Sequence, residues 1–342
     1  MEAIAYERAA NVADAVRSAQ TAGVAFIGGG TNLLDLMKGG VARPVKLVDI
    51  THLSDDGLDT VRTRPDGGIR IGALMRNSDA ADHPLVRERY PLLTQALVAG
   101  ASAQLRNMAT IGGNLMQRTR CPYFYDTAFA ACNKRTPGSG CAAQDGYQRM
   151  HAILGASAQC IAVNPSDMSV ALAALDATIE VVGPAGARRI PIGEFHRLPG
   201  DRPDIDTVLR PGELITAVDL PPLSTSLAEH TYYLKIRDRA SYAFALVSVA
   251  AALQMQGERI AGVRVALGGV AHKPWRAAIA EGLLTGQPLT DANLHEAAAA
   301  QLRDAHPLPG NRFKVLLAER AIVRALNIAA GRESIGVTGA SA

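Results

Sequence analysis

The stretch Phe26-Ile27-Gly28-Gly29-Gly30-Thr31-Asn32-Leu33-Leu34 reads as a buried strand, a triple-glycine turn and the start of a helix. Glycines lack Cβ, so successive backbone N–H groups can approach a phosphate closely, and a helix N-terminus adds a favourable dipole. Thr31 and Asn32 add side-chain donors at the same place. The pattern is neither G-x-G-x-x-G nor a P-loop, because no Lys-Ser/Thr pair follows. It indicates a phosphate cradle, with a tight structural turn as the alternative.

A second loop, Arg106-Asn107-Met108-Ala109-Thr110-Ile111-Gly112-Gly113-Asn114-Leu115, again combines small residues with polar side chains. A large dinucleotide lying between two lobes needs two backbone cradles of this kind. A structural turn before the next segment is the alternative for this loop too.

The elements around these loops predict an α+β protein with two lobes before residue 222 and a sheet-plus-helices domain after it. Hairpins are predicted around residues 65–67 and 184–186, because turn residues there separate alternating strands. The predicted strands are 24–27, 45–50, 58–62, 68–74, 178–182, 187–192, 231–236, 243–255 and 261–268. The predicted helices are 14–22, 33–37, 78–81, 91–99 and 168–175, with three more beginning near Trp275, Asp291 and Asn311. Residues 221–226 are predicted to be a linker.

Composition limits the classes of function. The 342 residues are 48% hydrophobic and 20% charged, as in an ordinary globular protein, and carry a net charge of +3. No basic run with interleaved aromatic residues indicates nucleic-acid binding. No apolar stretch approaches the roughly twenty residues that span a bilayer. The first residues lack the basic and apolar regions of a signal peptide, so export is expected only together with a signal-bearing partner.

All four cysteines fall in one segment of the chain, at Cys121, Cys132, Cys141 and Cys160. Ten, eight and eighteen residues separate them, whereas zinc knuckles usually use close C-x-x-C pairs. Four thiolates around an inorganic cluster leave net negative charge, which nearby cations offset; these are Arg118, Arg120, Lys134 and Arg135. An iron–sulfur cluster is therefore the leading hypothesis. Tetrahedral zinc, two disulfides and four free thiols are the alternatives.

The two glycine loops together resemble those of the flavin-binding subunit of the xanthine dehydrogenase family of molybdenum hydroxylases. Similarity continues through four further segments, 166–172, 211–215, 235–237 and 265–271, and so covers essentially the whole chain. The resemblance implies a two-lobed vanillyl-alcohol oxidase/PCMH-type FAD-binding domain over residues 1–222, with lobes of about 1–55 and 56–222. It also implies a CO-dehydrogenase-flavoprotein-like C-terminal domain over residues 228–330.

The cysteine-bearing insert, at about residues 118–160, departs from most such subunits. It is similar to the insert of periplasmic aldehyde oxidoreductases, whose flavin subunit carries an additional [4Fe–4S] cluster. The flavin subunit of 4-hydroxybenzoyl-CoA reductase also carries an inserted cluster, and its reaction runs in the reductive direction. The resemblance thus implies that the four cysteines bind a [4Fe–4S] cluster, but it leaves the direction of electron flow open.

Carried over by position, the resemblance implies an FAD site made from both loops and from later segments. Residues 26–34 are expected to wrap the pyrophosphate. Leu214 or Ile215 is expected at the adenine end and Lys235 near the flavin, where positive charge stabilises the reduced anionic form. A solvated strand residue is the alternative for Lys235, and a helix N-cap the alternative for Asp167. The remaining expected contacts are Thr110, Gly113, Asn114, Arg118 and Asp167.

The implied function is that of the electron-transfer flavin subunit of a molybdenum-dependent aldehyde oxidoreductase. The expected partners are a [2Fe–2S] subunit and a molybdopterin-binding catalytic subunit, in a heterotrimer or its dimer. No catalytic residue is expected in this chain. The expected location is the periplasm, by co-export with a partner, or otherwise the cytoplasm. The alternative function is a self-contained flavoprotein oxidase or dehydrogenase with a structural zinc site, and a scaffold that binds nothing is a third.

Overall fold

The computed structural model describes residues 3–333, so the first two residues of the predicted first lobe lie outside it. Over the described residues, the strands form three sheets with helices between and upon them. The predicted α+β class is confirmed.

The first sheet is small and parallel, with β3 in the centre between β1 and β2. Its elements are β1 (Ala5–Arg8), α1 (Val12–Ser18), β2 (Val24–Ile27), α2 (Leu33–Lys38) and β3 (Lys46–Asp49). Strand β1 was not predicted, because its residues are mostly exposed and carry no hydrophobic alternation. Helix α1 begins earlier than predicted, because Asn11 caps it by accepting a hydrogen bond from the Asp14 N–H.

The second sheet is antiparallel and has the order β4-β5-β8-β6-β7. Both predicted hairpins occur in it, β4 with β5 and β6 with β7. Its strands are β4 (Val61–Thr63), β5 (Ile69–Gly72), β6 (Thr178–Gly183), β7 (Gly186–Pro191) and β8 (Leu214–Leu220). Strand β8 was not predicted, yet it holds the two hairpins together by pairing with β5 and β6.

Helices fill the space between the second sheet and the rest of the chain. They are α3 (Asn77–Asp82), α4 (Pro84–Arg89), α5 (Pro91–Ala99), α6 (Ala103–Arg106), α7 (Ile111–Leu115), α8 (Pro122–Tyr125), α9 (Asp167–Ala174) and α10 (Ile192–Phe195). All residues of α9 are buried, because it packs against α5 on one side and against the C-terminal strands on another. The cysteine segment contains α8 and is otherwise irregular, as predicted.

The third sheet has the order β12-β11-β10-β9, and three helices complete the C-terminal part. Its elements are α11 (Thr225–Glu229), β9 (Thr231–Ile236), β10 (Val247–Gln256), β11 (Arg259–Gly268), β12 (Trp275–Arg276), α12 (Ala278–Leu284), α13 (Asp291–Gln301) and α14 (Phe313–Ala329). Two predicted boundaries are shifted here. The linker at 221–226 runs into α11, which Ser224 caps, and Trp275 pairs with Leu267 in β12 before α12 begins.

In residues 3–333, no helix combines the length and the apolar character needed to cross a bilayer.

Candidate functional site

The two glycine loops lie directly against one another. A Cβ added at Gly29 would stand 1.8 Å from the carbonyl oxygen of Met108, so only glycine permits this approach. Gly30 has a φ of +71°, a conformation that glycine adopts without strain. In the second loop, Thr110 caps α7 by accepting a hydrogen bond from the Gly113 N–H at 3.1 Å. The loops, distant in sequence, therefore form one wall.

A cleft opens beside this wall, bounded on its other sides by α5, α9, β9 and the residues after β9. It holds about 290 Å³ of space and is open to solvent, which places it near the lower end of the volumes of ligand pockets. Six of the predicted FAD residues line it together: Thr31, Asn32, Gly113, Asn114, Asp167 and Lys235.

The charge of the cleft is positive. Its lining includes two carboxylates, Asp35 and Asp167, and four cations, which are Arg106, Arg120, Lys235 and Arg237. Asn77 and Arg120 each present a buried polar atom, Oδ1 and Nε, that has no hydrogen-bond partner in the described chain. Buried polar atoms are normally satisfied, so these two fit a polar ligand in the cleft. An anionic pyrophosphate with a polar ribityl chain has the matching chemistry.

Asp167 and Lys235 form a buried ion pair in the cleft wall. The Lys235 Nζ lies 2.7 Å from Asp167 Oδ2 and 3.0 Å from the Ala99 carbonyl oxygen, and the two side chains are only 6% and 8% exposed. The Tyr233 hydroxyl donates to Asp167 Oδ1 at 2.7 Å. Lys235 is thus not a solvated strand residue. Its positive charge is also not free, because Asp167 offsets it.

The alternative role of Asp167 as an N-cap is wrong. Ser166 caps α9, because its hydroxyl accepts a hydrogen bond from the Ser169 N–H. Asp167 is the first helical residue, and its carboxylate contacts β9 instead.

Arg120 is a residue of the cleft that the sequence did not single out as an FAD contact. Its guanidinium donates to Asn32 Oδ1 at 3.1 Å, in the first glycine loop, and to the Tyr125 hydroxyl at 2.6 Å. It also lies over the rings of Tyr125 and Phe244, 5.5 and 5.1 Å from their centroids. Since Cys121 is the next residue, Arg120 joins the cleft to the cysteine segment. Its sequence signal was only a basic residue beside a cysteine.

Other predicted FAD residues do not line the cleft. Arg118 turns away, with its Nε 2.6 Å from Asp206 Oδ2 and its guanidinium over the Phe124 ring. Leu214 and Ile215 are 3% and 5% exposed and belong to hydrophobic cores. Contact of these three residues with FAD stays a prediction. The other predicted residues of the two loops also do not line the cleft, and their contact with FAD stays a prediction: Phe26, Ile27, Gly28, Gly29, Gly30, Leu33, Leu34 and Thr110.

The four cysteines are free thiols within the folded insert. Cys132 and Cys141 face each other across an isolated antiparallel bridge. Burial raises the pKa of Cys121 to about 12 and that of Cys160 to about 11, and the neighbouring cysteines add to both shifts. The four sulfurs are therefore electrostatic neighbours. Within residues 3–333, no group of three or more His, Cys, Asp or Glu side chains is arranged so that it could hold a single metal ion.

The insert buries cations close to these thiols. Lys134 is 3% exposed and forms an ion pair with Asp206, and its charge lowers the pKa of Cys160 against the larger effect of burial. Burial works to raise the pKa of Asp206, but Lys134 and Arg118 together hold it below the usual value. The Nε2 atom of His151 lies 3.1 Å from the Cys121 sulfur.

The insert and the cleft share a wall. A smaller cavity beside the cleft is lined by Cys121 and His151, and Arg120, Asp167 and Phe244 line both spaces. A group bound to Cys121 would therefore lie next to a ligand in the cleft.

Comparison with known families gives two matches that together cover most of the chain. The family described as "FAD binding domain in molybdopterin dehydrogenase" matches residues 2–223. The family described as "CO dehydrogenase flavoprotein C-terminal domain" matches residues 232–329.

Individual proteins agree with these matches. The chain is 52% identical to the aldehyde oxidoreductase FAD-binding subunit PaoB of Escherichia coli K12, over 95% of this chain and 98% of that one. It is 28% identical to the glyceraldehyde dehydrogenase medium chain of Sulfolobus acidocaldarius, over 90% and 89% of the two chains. Its fold matches a chain of the reconstituted CO dehydrogenase from Oligotropha carboxidovorans with a TM-score of 0.76, at 23% identity and covering 97% and 99% of the two chains.

Proposed function

This chain belongs to the family of FAD-binding subunits of the molybdopterin dehydrogenases, and on that premise we propose that it is the FAD and [4Fe–4S] subunit of a complex that oxidises aldehydes. The observation that carries the proposal is the shared wall between the cleft and the cysteine insert, because an FAD in the cleft and a cluster on the cysteines would then be neighbours.

The residues of the cleft suit FAD. The glycine loops offer backbone N–H groups to the pyrophosphate, and Arg120 adds a cation with an unused donor on the same side. The pair of Asp167 and Lys235 fixes the wall formed by α9 and β9. FAD supplies a two-electron carrier when it is bound, and the protein contributes binding, orientation and electrostatics. No residue of this chain is assigned as acid or base toward the aldehyde.

The donor set of the insert suits a [4Fe–4S] cluster. In such a cluster each thiolate binds a different iron, so the four sulfurs surround a larger object than a single zinc ion, whose ligands all lie about 2.3 Å from one point. Cys121 and Cys160 are poorly suited to stay as isolated thiolates, since burial raises their pKa. Bound iron supplies the positive charge that favours their deprotonated form.

The proposal includes partners and a location. A [2Fe–2S] subunit would deliver electrons, and a molybdopterin-binding subunit would oxidise the aldehyde. The similarity to an aldehyde oxidoreductase subunit over nearly the whole chain supports this arrangement. We propose the periplasm as the location, reached by co-export with a signal-bearing partner; this can be tested by fractionating cells that express all subunits.

The experiment is to purify the chain anaerobically with its co-expressed partners and to measure iron, acid-labile sulfide, zinc and FAD, both in the complex and in this chain alone. We expect about four iron, about four sulfide and one FAD in this chain. Cys132→Ser should lose iron and sulfide, whereas Asp145→Asn, an exposed position in the same insert, should keep both. FAD with zinc and no sulfide would overturn the cluster, and aldehyde oxidation by the isolated chain would favour a self-contained flavoprotein.

A further inference from the structure

Lys314 is a buried cation without an anionic partner. It lies in the first turn of α14 with 0% of its surface exposed, which is rare for a lysine. Its Nζ donates to the carbonyl oxygens of His151, at 2.8 Å, and Gly269. Within the described chain no carboxylate acts on its pKa, which burial alone lowers to about 7. Lys134, a deeply buried lysine within the insert, differs because the carboxylate of Asp206 compensates its charge.

Lys314 is connected to Cys121 through His151. The residue whose carbonyl it binds, His151, places its imidazole Nε2 atom 3.1 Å from the Cys121 sulfur. His151 therefore lies between the ammonium group of Lys314 and Cys121, one of the proposed cluster ligands. Asn311, fully buried just before α14, donates to the same carbonyl at 3.2 Å and to that of Ala152 at 3.0 Å, so this end of the insert is held firmly.

A buried charge is stable only when an opposite charge or several hydrogen bonds compensate it. Two carbonyl oxygens satisfy two of the three ammonium protons but supply no net negative charge. A [4Fe–4S] cluster with four thiolates has net negative charge and gains one more negative charge on reduction. The anion that Lys314 lacks in the described chain is thus the one that the proposed cluster would bring.

We propose that Lys314 is the cation that compensates the negative charge of the cluster and thereby raises its reduction potential. It is a positioning residue that acts across His151 and binds no iron itself. The proposal rests on the proposed function, because it requires the cluster.

The size of the effect follows from Coulomb's law. Two unit charges about 10 Å apart, the reach of two hydrogen bonds and one histidine, change an equilibrium constant on the order of tenfold at an effective dielectric constant of about 20. Removing the charge should therefore lower the ratio of reduced to oxidised cluster about tenfold at the wild-type midpoint. For a one-electron couple this is about 59 mV.

The test compares Lys314→Gln, Lys314→Met and Lys314→Arg in the full complex. Glutamine keeps a donor but not the charge, methionine keeps neither, and arginine keeps both. FAD content and far-UV circular dichroism report folding, and iron and sulfide report the cluster. A dithionite titration followed by electron paramagnetic resonance gives its midpoint. We expect both neutral variants to have a lower midpoint and the arginine variant to remain near wild type.

An unchanged midpoint in a folded neutral variant would overturn the proposal. Loss of the cluster from both neutral variants, with FAD and fold retained and with the arginine variant intact, would support a requirement for the charge. If neither neutral variant folds, the role of Lys314 is structural and the proposal fails. A wild-type chain without sulfide overturns the cluster itself, which distinguishes failure of the proposed function from failure of the role of Lys314.

Discussion

Replacing Lys235 by methionine tests the buried ion pair in the cleft wall. Methionine has a similar shape, so the substitution removes the charge and the donors with little change in packing. Asp167 then keeps the hydrogen bond from Tyr233 but loses its only ion-pair partner in the described chain. A carboxylate that is 8% exposed would remain buried without a cation.

The expected loss is large because of that burial. Breaking a buried ion pair by removing one partner costs about 3–5 kcal/mol. Since Tyr233 still donates to Asp167, we expect Lys235→Met to lower the free energy of unfolding by about 3 kcal/mol, at the low end of that range. An exposed lysine in an ion pair would give at most about 1 kcal/mol. The double variant Lys235→Met/Asp167→Asn should lose less than the single one, because no uncompensated charge is left.

Denaturant unfolding of the full chain gives these numbers. Far-UV circular dichroism and flavin fluorescence should both be followed, because a chain of this size need not unfold in one step. FAD dissociation is measured in parallel, and we expect weaker retention in Lys235→Met. A loss below about 1 kcal/mol, or a double variant less stable than the single one, would refute the reasoning. The aldehyde preference of the complex should stay unchanged, and a changed preference would contradict the proposal that a partner subunit oxidises the aldehyde.

Three further outcomes are expected. Gly29→Ala should abolish FAD retention, because its Cβ would meet the Met108 carbonyl, while the matched Gly193→Ala, which has open space, should not. Arg120→Gln should raise the Kd of the deflavinated chain for FAD about tenfold in a fluorescence titration, the value of one charge-assisted hydrogen bond; an unchanged Kd would count against its role. Burial, chiefly, lowers the pKa of His272 to about 3, so its contribution to stability is present above pH 6.5 and is lost as the pH falls toward 3. His272→Phe should flatten the fall of the melting temperature over that range, and an equal slope would contradict this.

The sequence predicted the elements that have strong local signals. Strand β9 and the start of α13 agree with the prediction to the residue, because a run of β-branched, aromatic and aliphatic residues defines the first and a capping threonine the second. Strand β1 was missed, since an exposed edge strand lacks that alternation. Trp275 was misassigned because its strand depends on pairing with β11, which local sequence does not reveal.

The site was predictable in its chemistry more than in its geometry. The glycines of both loops and the clustered cysteines are visible as patterns of residue type. The pairing of Asp167 with Lys235 joins residues 68 positions apart, and the contact of Arg120 with Asn32 joins residues 88 apart. Such long-range partners depend on how the sheets pack. The sequence therefore predicted Lys235 as a free positive charge, whereas in the fold Asp167 neutralises it.

The burial of Cys132 and Cys160, at 8% and 6% exposure, has a consequence for the order of biogenesis. Iron delivered to a closed insert cannot reach these sulfurs unless the insert opens locally, and Asn311 and Lys314 hold one end of it against the C-terminal helix. Assembly of the proposed cluster would therefore precede the docking of α14 or follow its release. A chain that closes without the cluster would take it up slowly, because α14 would first have to release the insert.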